Sequence, residues 1–194
     1  TWPAAPDQNR RQMPSPQTVY LVDGSGQFHR AFHAIRGLAT SKGLPTNATY
    51  GFTTMLRKLL EDERPEHVAV LFDPPGKTLR HQEYAEYKAN RPKMDDDLAV
   101  QLPYIRRVCE AFRLPVVEVP GYEADDTIAT LARQAVEQGL QVVVVSADKD
   151  LLQLVTDDVV VLNPGREGSG STRFERKAVE EKWGVPPERI ADVL

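Results

Sequence analysis

The 194 residues include one cysteine, Cys109, which excludes an internal disulfide and any cysteine-built zinc cluster. A chain so poor in thiols fits a reducing, cytoplasmic setting. Long hydrophobic runs are missing too. Aliphatic stretches such as Val142–Val145 fall far short of the roughly 20 residues that span a membrane. No segment near residue 1 has the long apolar centre of a secretory signal. There is no Walker-type phosphate loop and no internal repeat. An excess of positive charge is absent as well: 24 Lys and Arg face 28 Asp and Glu, a net charge of −4. Any affinity for a polyanion must therefore rest on a local basic patch. What remains is an ordinary globular balance, 41% hydrophobic and 27% charged, in a chain long enough for one domain with a substantial core.

Residues 1–17 carry Pro3, Pro6, Pro14 and Pro16 without apolar periodicity, and read as a disordered tail. From Thr18 onward, short apolar runs alternate with helical spacing. Strands are predicted at 19–22, 67–72, 116–119, 141–145 and 159–162. Helices are predicted at 25–36, 48–62, 97–112, 125–138 and 175–183, and 165–171 reads as a flexible loop. This order predicts an α/β fold with a mainly parallel central sheet and helices on both faces. The chemistry of such folds gathers beyond the carboxyl ends of the strands.

Acidic residues recur at those ends. Asp23 follows the first strand and Asp73 the second; Glu123, Asp125 and Asp126 follow the third; Asp148 and Asp150 follow the fourth. Taken singly, each reads as readily as a helix cap or turn residue. Capping calls for one acid per helix, however, and recurrence after four successive strands places all seven along one edge. So many like charges repel unless cations sit among them. Hard oxygen donors suit Mg²⁺ or Mn²⁺, and two such ions about 3.5–4 Å apart activate water and stabilise a leaving oxygen in phosphodiester cleavage. The histidines His29, His33, His67 and His81 lack the company of a third soft ligand, so they read as packing or surface residues rather than a zinc site. Cys109 reads as a buried, inert thiol, and Trp183 as core.

Residues 77–93 hold five Lys or Arg against two Glu, locally +3 (5 − 2), with Tyr84 and Tyr87 interleaved. Such a run can be a plain solvated helix face. Directly after the Asp73 strand it also suits single-stranded nucleic acid, with Lys77, Arg80 and Lys93 facing phosphates and the tyrosines facing bases. Arg30, in the helix after Asp23, can reach the same place from the other side.

These pieces in order (Val-Asp23-Gly-Ser, Phe-Asp73, Arg80-His81 through Tyr87-Lys88-Ala-Asn-Arg91-Pro, Gly-Tyr-Glu123-Ala-Asp125-Asp126 and Ala-Asp148-Lys-Asp150-Leu) resemble the 5′-nuclease domain of bacterial DNA polymerase I, in the flap endonuclease, PIN-like superfamily. The resemblance spans residues 18–194. It implies a three-layer PIN-like (Rossmann-like) domain with a helical arch, acting as a metal-dependent 5′-3′ exonuclease and flap endonuclease in primer removal, replication and repair. It implies two divalent ions, Mg²⁺ or Mn²⁺. Asp23, Asp73, Glu123, Asp125 and Asp126 match the first ion's acids, and Asp148 and Asp150 those of the second. Lys88 and Arg91 match basic residues that reach the scissile phosphate, Tyr87 a neighbour, and Arg30 a position near the 5′ phosphate. The implied partner is DNA with 5′ flaps, nicks, branches or 5′ ends, or an RNA primer paired with DNA. The implied protein is a monomer in the bacterial cytoplasm at the nucleoid, with no membrane. His29 stands where the family usually has tyrosine, and Gly26 where it has a larger residue. The chain stops at Ile190–Leu194 inside a predicted helix, short of the further aspartates and the helix–three-turn–helix element of relatives, and reads as a truncated piece with weak or no cleavage of its own. The other classes weighed are a DNA-binding module without catalysis and a haloacid-dehalogenase-type phosphatase. The latter needs Asp-x-Asp where this chain has Asp23-Gly-Ser25.

Overall fold

The computed structural model describes residues 17–76, 78–80, 84, 86, 93–165 and 170–194. Its strands are β1 (Thr18–Asp23), β2 (His67–Leu71), β3 (Val116–Val117), β4 (Gln141–Val145), β5 (Val159–Asn163) and β6 (Thr172–Phe174). The helices are α1 (Gly24–Ala34), α2 (Asn47–Glu63), α3 (Asp96–Ala99), α4 (Leu102–Ala111), α5 (Ala124–Glu137) and α6 (Arg176–Trp183). Two 3-10 segments, Asp150–Leu154 and Pro187–Asp192, complete the described chain.

The strands form one sheet in the order β3-β2-β1-β4-β5-β6. All neighbours are parallel except β5 and β6. Val and Leu run without polar interruption through β1 and β4 because both faces of the sheet are covered. Alternation then sorts each strand. Tyr20, Val22, Val143 and Val145 face Phe28, Phe52, Leu56 and Ile105 of α1, α2 and α4. Leu21, Val142 and Val144 face Ile128 and Ala132 of α5, Leu151 and Leu152 of the 3-10 segment, and Val179 of α6. The result is three layers, the α/β class that the alternating pattern predicts.

Five details depart from the sequence reading. The single helix expected at 97–112 is two, because Pro103 sits in the first turn of α4. Gln101, at the break, is fully buried, donating to Asn47 Oδ1 at 2.9 Å and accepting from Thr49 N at 3.0 Å. The third strand pairs only through Val116 and Val117. The stretch after the expected loop returns as β6, an antiparallel edge strand of three residues that periodicity could not reveal. The helix expected at the end of the chain is a 3-10 segment, with Ile190 fully buried. At the other end, the sheet reaches into the assigned tail, since Gln17 accepts at its carbonyl from Gln141 N at 3.0 Å. Residues 1–16 lie outside the described ones. Cys109 is buried as expected, which pushes its thiol up to about 11. Trp183 is half-buried, edge-on to Phe174.

Candidate metal and nucleic-acid site

Since β1 to β4 are mutually parallel, their carboxyl ends share one side of the sheet, where the residues that follow them also emerge. Asp23 closes β1 and caps α1, accepting from Gly26 N at 2.7 Å. Its other oxygen accepts from the Ser146 hydroxyl at 2.7 Å. The side chain is 3% exposed, and burial pushes its carboxyl above the ordinary range. The nearby Asp73 and Asp148 raise it further, against the Gly26 amide and the Ser146 hydroxyl, which lower it. Gly26 makes this fold-back possible: a Cβ there would stand 2.1 Å from Asp23 Oδ2. The small residue at that position is therefore matched to the placement of the carboxylate.

Asp73 bridges two elements. Its amide donates to Ser25 Oγ at 2.8 Å, and its Oδ1 accepts from Ala124 N, the first amide of α5, at 2.7 Å. A carboxylate there completes the orphan amides of the helix and meets the positive end of its dipole. Asp148 donates through its amide to Ser146 Oγ at 3.0 Å and accepts at Oδ1 from Asp150 N at 3.0 Å. Asp73, Asp148 and Asp150 are exposed.

On the β3 side the arrangement differs. Glu123 and Asp126 pair as a capping box at the start of α5, Asp126 Oδ2 accepting from Glu123 N at 3.4 Å. The premise that capping engages one acid per helix is thus corrected: here it engages two, and Asp73 adds a third from another strand. Arg80 lies against the same pair, bonded to Asp126 Oδ1 and 3.8 Å from Glu123 Oε2. Asp125 follows in the first turn, half-buried.

Of the basic residues, Arg30 donates to Asn163 Oδ1 at 3.3 Å and to the Gly165 carbonyl. Tyr84 is 68% exposed. Lys93 is exposed and 3.4 Å from Asp96. Lys77, Tyr87, Lys88 and Arg91 lie outside the described residues, as does His81. His29 stacks on Phe28. Two hydroxyls that sequence reasoning passed over, Ser25 and Ser146, hold the acids in place. Each stands within a few residues of the acid it serves or of a strand end, a signal that is legible only once the strand ends are known.

Among the described residues, no three His, Cys, Asp or Glu side chains converge as a ready-made metal cage. The donor set is nonetheless all oxygen and strongly anionic around Asp23. That fits a hard, largely hydrated ion such as Mg²⁺, which is commonly held through one or two carboxylates. It does not fit a soft or fully dehydrated ion.

Comparison with known proteins decides the family. Residues 18–184 match the N-terminal resolvase-like domain of 5′-3′ exonucleases. The chain belongs to this family. A 5′-3′ exonuclease from Aquifex aeolicus is 47% identical over 178 residues, covering 92% of this chain and 60% of that protein. A DNA polymerase I from Mycobacterium tuberculosis is 46% identical over 194 residues, covering 99% of this chain and 21% of that protein. The chain thus spans 60% of the first relative's length and about a fifth of the second's. The solved structure of T5 5′-exonuclease with divalent zinc ions bound superposes with a TM-score of 0.64 at 20% identity, over 90% of this chain and 64% of that one. That likeness shows the shared PIN-like resolvase fold of the 5′-3′ exonuclease family. Among the described residues, no helix is long and apolar enough to cross a membrane.

Proposed function

We propose that this domain is a divalent-metal-dependent nuclease acting on DNA at 5′ ends and 5′ flaps, by two-metal phosphodiester hydrolysis in primer removal and repair. It would work as a monomer in the bacterial cytoplasm, on DNA or on RNA primers paired with it. The observation that carries the reading is the gathering of Asp23, Asp73 and Asp148 at one sheet edge, in a chain that matches the exonuclease family over residues 18–184. Asp23, Asp73 and Asp148 would hold Mg²⁺ or Mn²⁺, with Asp150, Glu123, Asp125 and Asp126 as the further acids. The bound ions would supply activated water and neutralise charge on the leaving oxygen.

The chain's own residues do the positioning. Ser146 and Gly26 fix the Asp23 carboxylate, and Ser25 and the Ala124 amide fix Asp73. Arg80 balances Glu123 and Asp126. Lys88 and Arg91 are assigned to the scissile phosphate and Arg30 to the 5′ phosphate, where cations offset charge that develops during cleavage. Tyr84, Tyr87, Lys77 and Lys93 are assigned to the DNA strand.

The test is Mg²⁺-dependent cleavage of a labelled 5′-flap duplex, with Asp73→Ala as control. The reading predicts cleavage by the unmodified chain that disappears in the variant. The second reading, a DNA-binding domain with little or no catalysis, is favoured by the lack of a ready-made cage among the described acids. Tight flap binding with no cleavage in Mg²⁺ or Mn²⁺ would decide for it.

A further inference from the structure

A cavity of about 370 Å³ lies between α1, α2 and the carboxyl end of β5. Its walls are mainly apolar: Ala31, Ile35, Met55, Leu59, Leu162 and Pro164. Gln27, on α1, also lines it. Gln27 is 4% exposed, and its Nε2 is one of two buried side-chain polar atoms without a hydrogen-bond partner among the described residues. A buried donor left unpaired is costly, and such a group calls for an explanation. The cavity offers one, namely an acceptor carried by a ligand.

The rim limits what that ligand can be. Arg30 is taken up by Asn163 and the Gly165 carbonyl, and Lys58 by Asp62 at 2.6 Å. Glu63 also lines the cavity, and is bonded by Tyr20 and Arg173. With its charges already balanced, the site suits a neutral body with an apolar face and an acceptor edge. A nucleobase has this chemistry, because every base presents a ring nitrogen or carbonyl acceptor at its edges. The Met55 thioether is a favourable neighbour for a ring. The location agrees: Gln27 stands about one turn along α1 from Asp23, and Leu162 lies one residue before the end of β5, on the acid-bearing side of the sheet.

We propose that this cavity receives one unpaired nucleobase, with Gln27 Nε2 donating to its acceptor. As a contact to DNA, the proposal rests on the nuclease reading above. As a base-binding cavity it stands apart, since a free nucleoside carries the same chemistry. The test uses the full chain with thymidine and deoxyadenosine at millimolar concentration, followed by the Met55 methyl resonance. A pair of oligonucleotides, one with an unpaired base and the other abasic at that place, follows.

The expected result is a saturable shift of the methyl in the unmodified chain. Gln27→Leu removes the unpaired donor without emptying the site, so it should fold with an undiminished melting midpoint and bind nucleoside about fivefold more weakly, the scale of one lost hydrogen bond. Ala34→Phe, on the exposed rim, should block entry. The base-bearing oligonucleotide should outbind its abasic twin in the unmodified chain and lose that advantage in Gln27→Leu. A methyl that ignores both nucleosides, or shifts equally in both variants, overturns the proposal and leaves the nuclease reading intact. Nucleoside binding with no preference over the abasic strand upholds the cavity and assigns it to a free nucleoside. Nucleoside binding by a chain that cleaves no flap defeats the nuclease reading and leaves the cavity standing.

Discussion

The acidic edge is held in two different ways along its length. Around β1 and β4, Asp23 is buried and relies on neutral donors, the Gly26 amide and the Ser146 hydroxyl, while Asp73 and Asp148 raise its carboxyl from nearby. Toward β3, Glu123 and Asp126 are balanced by a cation from the chain itself, Arg80. Hydrogen bonds orient a carboxylate without cancelling its charge, whereas an arginine cancels it. The two halves therefore differ in how much a divalent ion would gain by entering. The Asp23 half is where an added positive charge relieves most repulsion, and the Arg80 half is already partly relieved.

The largest expected effect separates the halves by activity. Asp73→Ala should lower Mg²⁺-dependent flap cleavage by at least about a hundredfold, since loss of even a ligand's supporting partner commonly costs 10–100-fold. Arg80→Gln should lower it less if its main role is to balance Glu123 and Asp126. Equal losses would erase the distinction. Next comes Ser146→Ala, which leaves Asp23 Oδ2 buried without its donor. It should weaken Mg²⁺ binding by about 10–100-fold, measured by calorimetric titration. An unchanged affinity would mean that the hydroxyl does not position the acid.

A smaller effect concerns stability without metal. The Asp23 carboxyl is held above its ordinary value, so its contribution to stability is present below the unfolded-state value of about 3.9 and is lost as pH rises through the folded-state value. Asp23→Asn keeps a side chain that can cap α1 and removes the charge. It should raise the metal-free melting midpoint by a few degrees at neutral pH, given about 2–4 °C per kcal/mol in a chain this size. The gain should shrink toward zero in acid, and Mg²⁺ should stabilise the unmodified protein but not the variant. The smallest effect is that of Arg80→Gln on stability. Its pair with Asp126 is partly exposed, so the loss should stay near the 0.2–1 kcal/mol typical of surface pairs in a denaturant titration.

Much of the fold was legible because buried parallel strands announce themselves as aliphatic runs. Val142–Val145 and Val159–Leu162 stand where β4 and β5 are found. β6 was not legible, because Thr172–Phe174 is too short for any period to show. The break at Gln101 was hidden for a different reason: apolar spacing continues across it, and only Pro103 marks the new start. At the site, the acids follow strands that are parallel, and their recurrence after strand ends was visible in the order of residues. Their division could not be read, since nothing in the order of residues says that Ser146 serves Asp23 or that Arg80 crosses to Asp126. The arginine expected to face DNA faces two acids in the described structure, a contact made across 46 residues of sequence.

The proposed divalent ion would enter at Asp23, Asp73 and Asp148. The most direct measurement is paramagnetic broadening of backbone amide resonances by substoichiometric Mn²⁺. The amides of Gly26, Ala124 and Asp148, which surround those carboxylates, should disappear first, and Asp73→Asn should restore them. If they persist while amides of the exposed Asp95–Asp97 stretch broaden instead, the ion binds elsewhere and the account is contradicted.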